Sequence, residues 1–449
     1  MKDQSAAWRG ALLLTAVSLF SQVLAFLYRV WLARLIDSEA IGLYQLVVPV
    51  YSIVMSLCVS GFTVAVSRLT ASYAALGRTR AIRQAVHTAR AAYLVMVLGA
   101  CAFIAPFSDG ISSLLLGDAR TRLGLLLLLP CILLTGWENV HKNYFYGRKN
   151  VIPPSVSEVL EQTVRVASVL WLLWFFSPAY EEVQVGLIVL GMVISEVVSA
   201  GLLTVWYKRD QARRDSAGEP EKDIWKTMRA IAAPVAAANF LTNLIGSANS
   251  VIIPGRLIAS GMDSSEALSA FGVAFGMTMP LLALPLVFSG SIGTIMLPRL
   301  AESAAIWDIA AIRRRIKTAL GAAGVSVALC AAVLIPCGEG IARALFQNPN
   351  AGQYMAPLAA ATVFVCFETL LGTFLNALGK QRSTAANFIF AGMAQLLLTW
   401  WGVGLPQLRL GGFVLAYIAG GILGTALCAW DLWTAVRLPP PPPSRRLYG

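Results

Sequence analysis

Charge is what this sequence has least of: Asp, Glu, Lys and Arg make up 13% of its 449 residues, about half the share of a soluble globular protein. Set against 57% apolar residues, that scarcity excludes a soluble enzyme, a disordered chain and a secreted disulfide scaffold. Histidine is scarcer still. His87 and His141 are too few and too separated for a metal site. The seven cysteines (Cys58, Cys101, Cys131, Cys330, Cys337, Cys366 and Cys428) include no CxxC pair, so they read as small apolar packing residues. No Walker A or dinucleotide glycine pattern occurs, which argues against a single-chain ATP-driven pump. No cofactor and no resident metal are expected, and no covalent chemistry.

What the chain has in abundance is long apolar runs. Windows of ~20 residues give twelve expected spans: 10–33, 43–66, 91–115, 123–146, 155–176, 183–206, 228–252, 267–290, 316–336, 355–378, 384–405 and 411–435. Only helices or closed barrels satisfy their backbone in lipid, and runs of this length are helical. The expected class is therefore an all-α polytopic membrane protein. The net charge of +12 would suggest nucleic acid in a soluble protein but here it reports sidedness. With the N-terminus in the cytoplasm, 27 of the 35 Lys and Arg fall on the cytoplasmic side and 6 on the other. Arg29 and Arg165 fall inside spans. That asymmetry places both termini in the cytoplasm. Lys2 and Arg9 precede an apolar run that continues to Ala33 without a small-x-small cleavage site, so the first helix is read as uncleaved.

The longest polar loop divides the chain near its middle. The expected organisation is a six-helix lobe 1–207, a cytoplasmic linker 208–227, a second six-helix lobe 228–436 and a proline-rich cytoplasmic tail 437–449. The halves resemble each other. Pro49 and Arg68 match Pro280 and Arg299 at an offset of 231, and Gly147 matches Gly379 at 232. Each Arg-Leu is followed by an amphipathic stretch, 69–88 or 300–315, expected on the cytoplasmic surface. Two six-helix repeats are a transporter architecture, in which substrate binds between halves that alternate access. The second loop is about 24 residues long and lacks a Gly-x-x-x-Asp-Arg pattern, unlike that of the major facilitator superfamily.

Three stretches carry a specific resemblance. Residues 33–69 (ARLIDSEAIGLYQLVVPVYSIVMSLCVSGFTVAVSRL), 138–168 (ENVHKNYFYGRKNVIPPSVSEVLEQTVRVAS) and 375–389 (LNALGKQRSTAANFI) resemble the stage V sporulation protein B group of polysaccharide-biosynthesis membrane proteins. That group is similar to MurJ-type lipid II flippases, within the superfamily that also holds the MATE multidrug exporters. The resemblance implies a MATE/MurJ-like fold in a bacterial plasma membrane. It also implies flipping of an undecaprenyl-pyrophosphate-linked saccharide, with lipid II foremost, from inner to outer leaflet. Two features depart from the MurJ type. Val47 to Ser67 carries no basic residue, and NLIGSANSVIIPGRL offers Asn249 where some relatives place a sodium-binding carboxylate.

Ionisable groups within spans are functional candidates because burying them in lipid is costly. Glu158, Glu161 and Arg165 share a helix face, and Glu161 and Arg165 form an i, i+4 pair. They read either as a cavity wall, with Arg165 on the pyrophosphate, or as a self-neutralised structural pair. Arg29 lacks an i ± 4 partner on its own helix; it reads either as cavity lining, where guanidinium offers forked donors to a pyrophosphate, or as snorkelling to the outer interface. Arg256 would complete an outer cationic rim or stay a solvated loop residue. Glu138 and Asn139 read as a gate or a helix cap. Glu196 and Glu368 are isolated acids suited to proton coupling or interhelical bonding. Asn239, Thr242 and Asn243 read as interhelical hydrogen-bonding residues. The expected partners are a lipid-linked oligosaccharide, the bilayer, and a coupling proton or sodium ion with the membrane potential; no nucleic acid and a monomer are expected. The rival readings are a cation-coupled multidrug antiporter of the same fold and a non-transport scaffold for wall synthesis.

Overall fold

The computed structural model describes residues 2–214, 219–305 and 308–437; the expected tail 437–449 lies outside these from residue 438. No strand occurs among the described residues. The helices are α1 (Lys2–Leu35), α2 (Ser38–Cys58), α3 (Ser60–Ala75), α4 (Thr79–Ile104), the single turn α5 (Ser108–Gly110), α6 (Thr121–Gly147), α7 (Ile152–Phe176) and α8 (Glu181–Ala212). They continue with α9 (Ile224–Ala259), α10 (Ser264–Gly272), α11 (Met279–Ala305), α12 (Ile309–Phe346), α13 (Met355–Ala377), α14 (Gln381–Val403) and α15 (Leu410–Arg437). Eleven helical runs among the described residues are long and apolar enough to cross a membrane.

Three expectations need correcting. The second span, 43–66, is two helices, α2 and α3, separated at Val59, whose φ of −120° and ψ of −45° leave the helical region. Around that break Ser56, Ser60 and Thr63 donate their hydroxyls back to the carbonyls of Ile53, Ser56 and Ser60. Such back-bonding competes with the helical ladder and bends it. The eighth span, 267–290, belongs to a longer run from Ser264 to Ala304 that passes through a π-helical segment, Val273–Thr278. The stretches 69–88 and 300–315 form no helices of their own, because each is shared between the end of one long helix and the start of the next.

The internal repeat reappears in the backbone. Asn150 donates to the Phe145 carbonyl at the end of α6, and Lys380 donates to the Leu375 carbonyl at the end of α13. Arg78 donates to Tyr73 beyond α3, and Asp308 to Ser303 beyond α11. These are helix-ending bonds from a residue to the carbonyl five before it. In both comparisons the second copy lies 230 positions after the first, one or two fewer than the sequence matches suggest. The break at Val59 has no counterpart, since α11 runs unbroken through Gly290.

By packing density, the chain forms two compact units that divide between Val251 and Ile252, inside α9. Sequence reasoning set the division at the 208–227 loop. The early part of α9 packs on the first unit: Gly61 lies so close to the Ala232 carbonyl that a Cβ would sit 2.2 Å from its oxygen. At one end of this unit Arg120 ties three segments together, pairing with Asp118 (2.8 Å), Glu39 (2.8 Å) and Glu181 (3.6 Å). The hydrogen bonds that Arg120 donates to Asp118 raise its pKa further, which fixes a permanent charge there.

In the first unit, α7 and α8 meet closely at Gly191, where a Cβ would lie 2.4 Å from Val169 Cγ2 and 3.0 Å from the Val169 nitrogen. Gly191→Ala should therefore cost about 1–3 kcal/mol through overpacking. The check is thermal unfolding of the purified protein, and an unchanged midpoint would contradict this packing.

Candidate functional site

The first unit buries a charge network on three helices. Each helix crosses with an apolar surface, so its charged residues must find their partners inside the bundle. On α6, Glu138 and Lys142 stand one turn apart and pair at 2.9 Å. Lys142 also reaches Glu161 on α7 at 3.0 Å. Arg165, one turn beyond, donates to Glu161 Oε1 at 2.5 Å and to Glu196 Oε1 on α8 at 3.2 Å. The side chains of Glu138, Glu161 and Glu196 are 0%, 10% and 1% exposed. Ser157 donates to Glu138 Oε1 at 2.9 Å, Ser199 donates to the same oxygen, and Arg165 Nε donates to Ser195 at 3.4 Å.

The charges do not cancel. Three carboxyls face two cations, leaving a surplus of one negative charge when all are ionised. Carboxyl oxygens from Glu138, Glu161 and Glu196 lie within 4.8 Å of one another. Glu138 Oε2 and Glu196 Oε2 are buried without a hydrogen-bond partner among the described residues. A divalent metal suits this group poorly, because Lys142 and Arg165 already stand against the inward-facing oxygens. One proton, or one alkali cation, balances the set.

Beside the network lies a cavity of about 330 Å³ lined by Tyr51, Ser52, Met55, Ser56, Val59, Ser60, Thr63, Asn139, Asn239 and Asn243. The break at Val59 forms one wall. Tyr51 lines the cavity and lies within electrostatic reach of Glu196 and Arg165. The lining carries hydroxyls and amides but no charge.

The sequence candidates distribute unevenly. Glu138, Glu161, Arg165 and Glu196 come together, so Glu196 is not the isolated acid it seemed. Glu158 shares the face of Glu161 yet stays outside, near Tyr146, with no ion pair among the described residues. Asn139 lines the cavity and is not a helix cap, because α6 continues to Gly147. Arg29 is exposed on α1 without an ion pair among the described residues, and its charge, like that of Arg165, reaches Tyr28 and Tyr44. Asn249 Oδ1 is buried without a partner on α9. Arg256 lies in the second unit, within α9 and not in a loop; it donates to the Trp400 carbonyl at 2.8 Å and stacks 4.4 Å over the Trp400 ring. Glu368, also in the second unit, sits against Gly424 of α15 and has no hydrogen bond or ion pair among the described residues. Sequence reasoning missed Lys142, whose i, i+4 relation to Glu138 was the available signal. It also set Asn239 and Asn243 aside as helix–helix contacts.

A family model for polysaccharide biosynthesis proteins matches residues 7–304. The chain belongs to the polysaccharide biosynthesis protein family. Two relatives from Bacillus subtilis (strain 168) align along most of it. Stage V sporulation protein B is 24% identical over 426 residues, covering 94% of this chain and 82% of the relative. The uncharacterized membrane protein YabM is 22% identical over 383 residues, covering 83% and 70%. Among solved structures, an inward-facing multidrug resistance MATE family transporter superposes with a TM-score of 0.75 at 14% identity, covering 92% of this chain and 95% of that one. The lipid II flippase MurJ, in an inward closed conformation, gives 0.72 at 10% identity, covering 94% and 87%. This polysaccharide biosynthesis family member is therefore an all-α, multi-pass membrane protein of MATE/MurJ-like fold.

Proposed function

We propose that the protein is an alternating-access flippase that moves a polyprenyl-pyrophosphate-linked saccharide, lipid II foremost, from the inner to the outer leaflet of a bacterial plasma membrane. The observation that carries this reading is the uncharged, hydroxyl- and amide-lined cavity set beside a buried network with one unbalanced charge. Saccharide hydroxyls both donate and accept, and match Asn139, Asn239, Asn243 and the serines. A transporter of organic cations calls for acids in its cavity, and this lining has none. Arg29 supplies forked donors for the pyrophosphate. The surplus charge of Glu138, Glu161 and Glu196 takes up a coupling proton, with sodium as the other candidate ion. A membrane potential negative inside adds to outward movement of an anionic headgroup.

Reconstitution in vesicles with fluorescent lipid II tests the reading. Exposure of the label to an external reagent should exceed that of empty vesicles; equal rates would overturn the lipid II assignment. Asn239→Ala with Asn243→Ala removes two amides from the cavity. At about 0.5–1.5 kcal/mol per hydrogen bond, roughly tenfold more substrate should be needed for half-maximal rate. An unchanged half-maximal concentration would remove the saccharide from this cavity.

A further inference from the structure

We propose that the second unit carries a separate site for one anionic phospholipid, in a groove between α12 and α15. These helices barely touch each other and both pack on α13. Between them lies a recess of about 820 Å³. Its floor is Leu371 of α13, above a buried cluster that includes Ile316, Phe374 and Leu432. Its walls are apolar for most of their length, and at Gly321 a Cβ would meet nothing within 4 Å. One end is different. Arg313 and Lys317, one turn apart on α12, face Arg437 of α15, whose guanidinium stacks 4.0 Å over the Trp433 ring.

No acid lines the groove. Among the described residues, Arg313 and Lys317 enter no ion pair, whereas the neighbouring Arg315 pairs with Glu302. An apolar trough closed at one end by three cations and a tryptophan matches an acyl chain attached to an anionic headgroup. Phosphate accepts charge-assisted bonds from guanidinium and ammonium, and tryptophan favours the headgroup level. A basic cluster at the membrane surface also gathers anionic lipid by charge alone. The site lies outside the charge network and does not depend on the transported substrate.

Native mass spectrometry of the purified full-length protein tests this with phosphatidylglycerol, phosphatidylcholine and undecaprenyl phosphate as probes. One phosphatidylglycerol should be retained at least tenfold more tightly than phosphatidylcholine. The pair Arg313→Gln and Lys317→Gln should weaken it roughly tenfold, as expected for lost charge-assisted bonds. Gly321→Leu, which fills open space, should lower occupancy while the lipid-free unfolding midpoint stays that of the unaltered protein. The site is overturned if phosphatidylcholine binds equally, if the Arg313/Lys317 variant retains full affinity, or if undecaprenyl phosphate displaces phosphatidylglycerol at lower concentration. It is also overturned if binding emerges only after residues 440–449 are removed, which would make the tail the occupant.

Discussion

Replacing Arg165 with methionine is expected to destabilise the first unit by about 3–5 kcal/mol and to abolish transport. The guanidinium is the shared partner of Glu161 and Glu196, at 2.5 Å and 3.2 Å. Without it, Glu196 retains neither an ion pair nor access to water, being 1% exposed. Removing one member of a buried ionic group costs far more than the net value of the group, because the stranded charge has no solvent. Arg165→Lys keeps the charge but loses the fork, and should recover part of the stability. Adding Glu196→Gln to Arg165→Met should recover stability by a different route, since it removes one of the stranded acids. The measurements are thermal unfolding in detergent and lipid exposure in vesicles. An Arg165→Met protein that melts with the unaltered one would show that the network does not hold α7 to α8.

Glu196→Gln alone should behave in the opposite way. It brings the count to two acids and two cations, so the network is balanced without a proton. Stability should hold or rise, and transport should lose its response to a pH gradient. A gradient of one unit is worth about 1.4 kcal/mol per proton, a factor of about ten in the steady-state leaflet ratio. That factor is what the variant should erase. Glu138→Gln makes the useful contrast: Glu138 is bound by Lys142, Ser157 and Ser199, so its neutralisation loosens a partnered group. It should destabilise where Glu196→Gln does not. A Glu196→Gln protein that follows the pH gradient as before, or that follows a sodium gradient instead, ends the case for Glu196 as the proton acceptor.

Much of this molecule is legible from its sequence, and the limits have physical causes. Helices are set by runs of apolar residues, a local property, so the helical class and most spans emerge directly. The Glu161–Arg165 pair emerges for the same reason, since one turn of helix brings i and i+4 together. Glu196 is 31 positions from Arg165, and Lys142 is 19 from Glu161. No periodicity relates such residues; only the packing of α6, α7 and α8 does. The break at Val59 is hidden differently. Ser56, Ser60 and Thr63 are compatible with an unbroken helix, and their back-bonds become visible only in three dimensions. Asn239 and Asn243 show the cost of judging residues by type: an amide that bonds within its own helix also lines a cavity.

The 230-position offset between the halves allows their charges to be compared position by position. Carried across it, Glu138 falls on Glu368 and Lys142 on Gly372. The helices α14 and α15 begin 229 positions after α7 and α8, and at either offset Glu161, Arg165 and Glu196 fall on uncharged residues. At these positions the first half holds a set of buried ions, and the second holds one acid with neutral residues where the partners stand. Helices that end on the same bonds in both halves therefore do not need the ions to form, and the network of the first half is an addition to its frame.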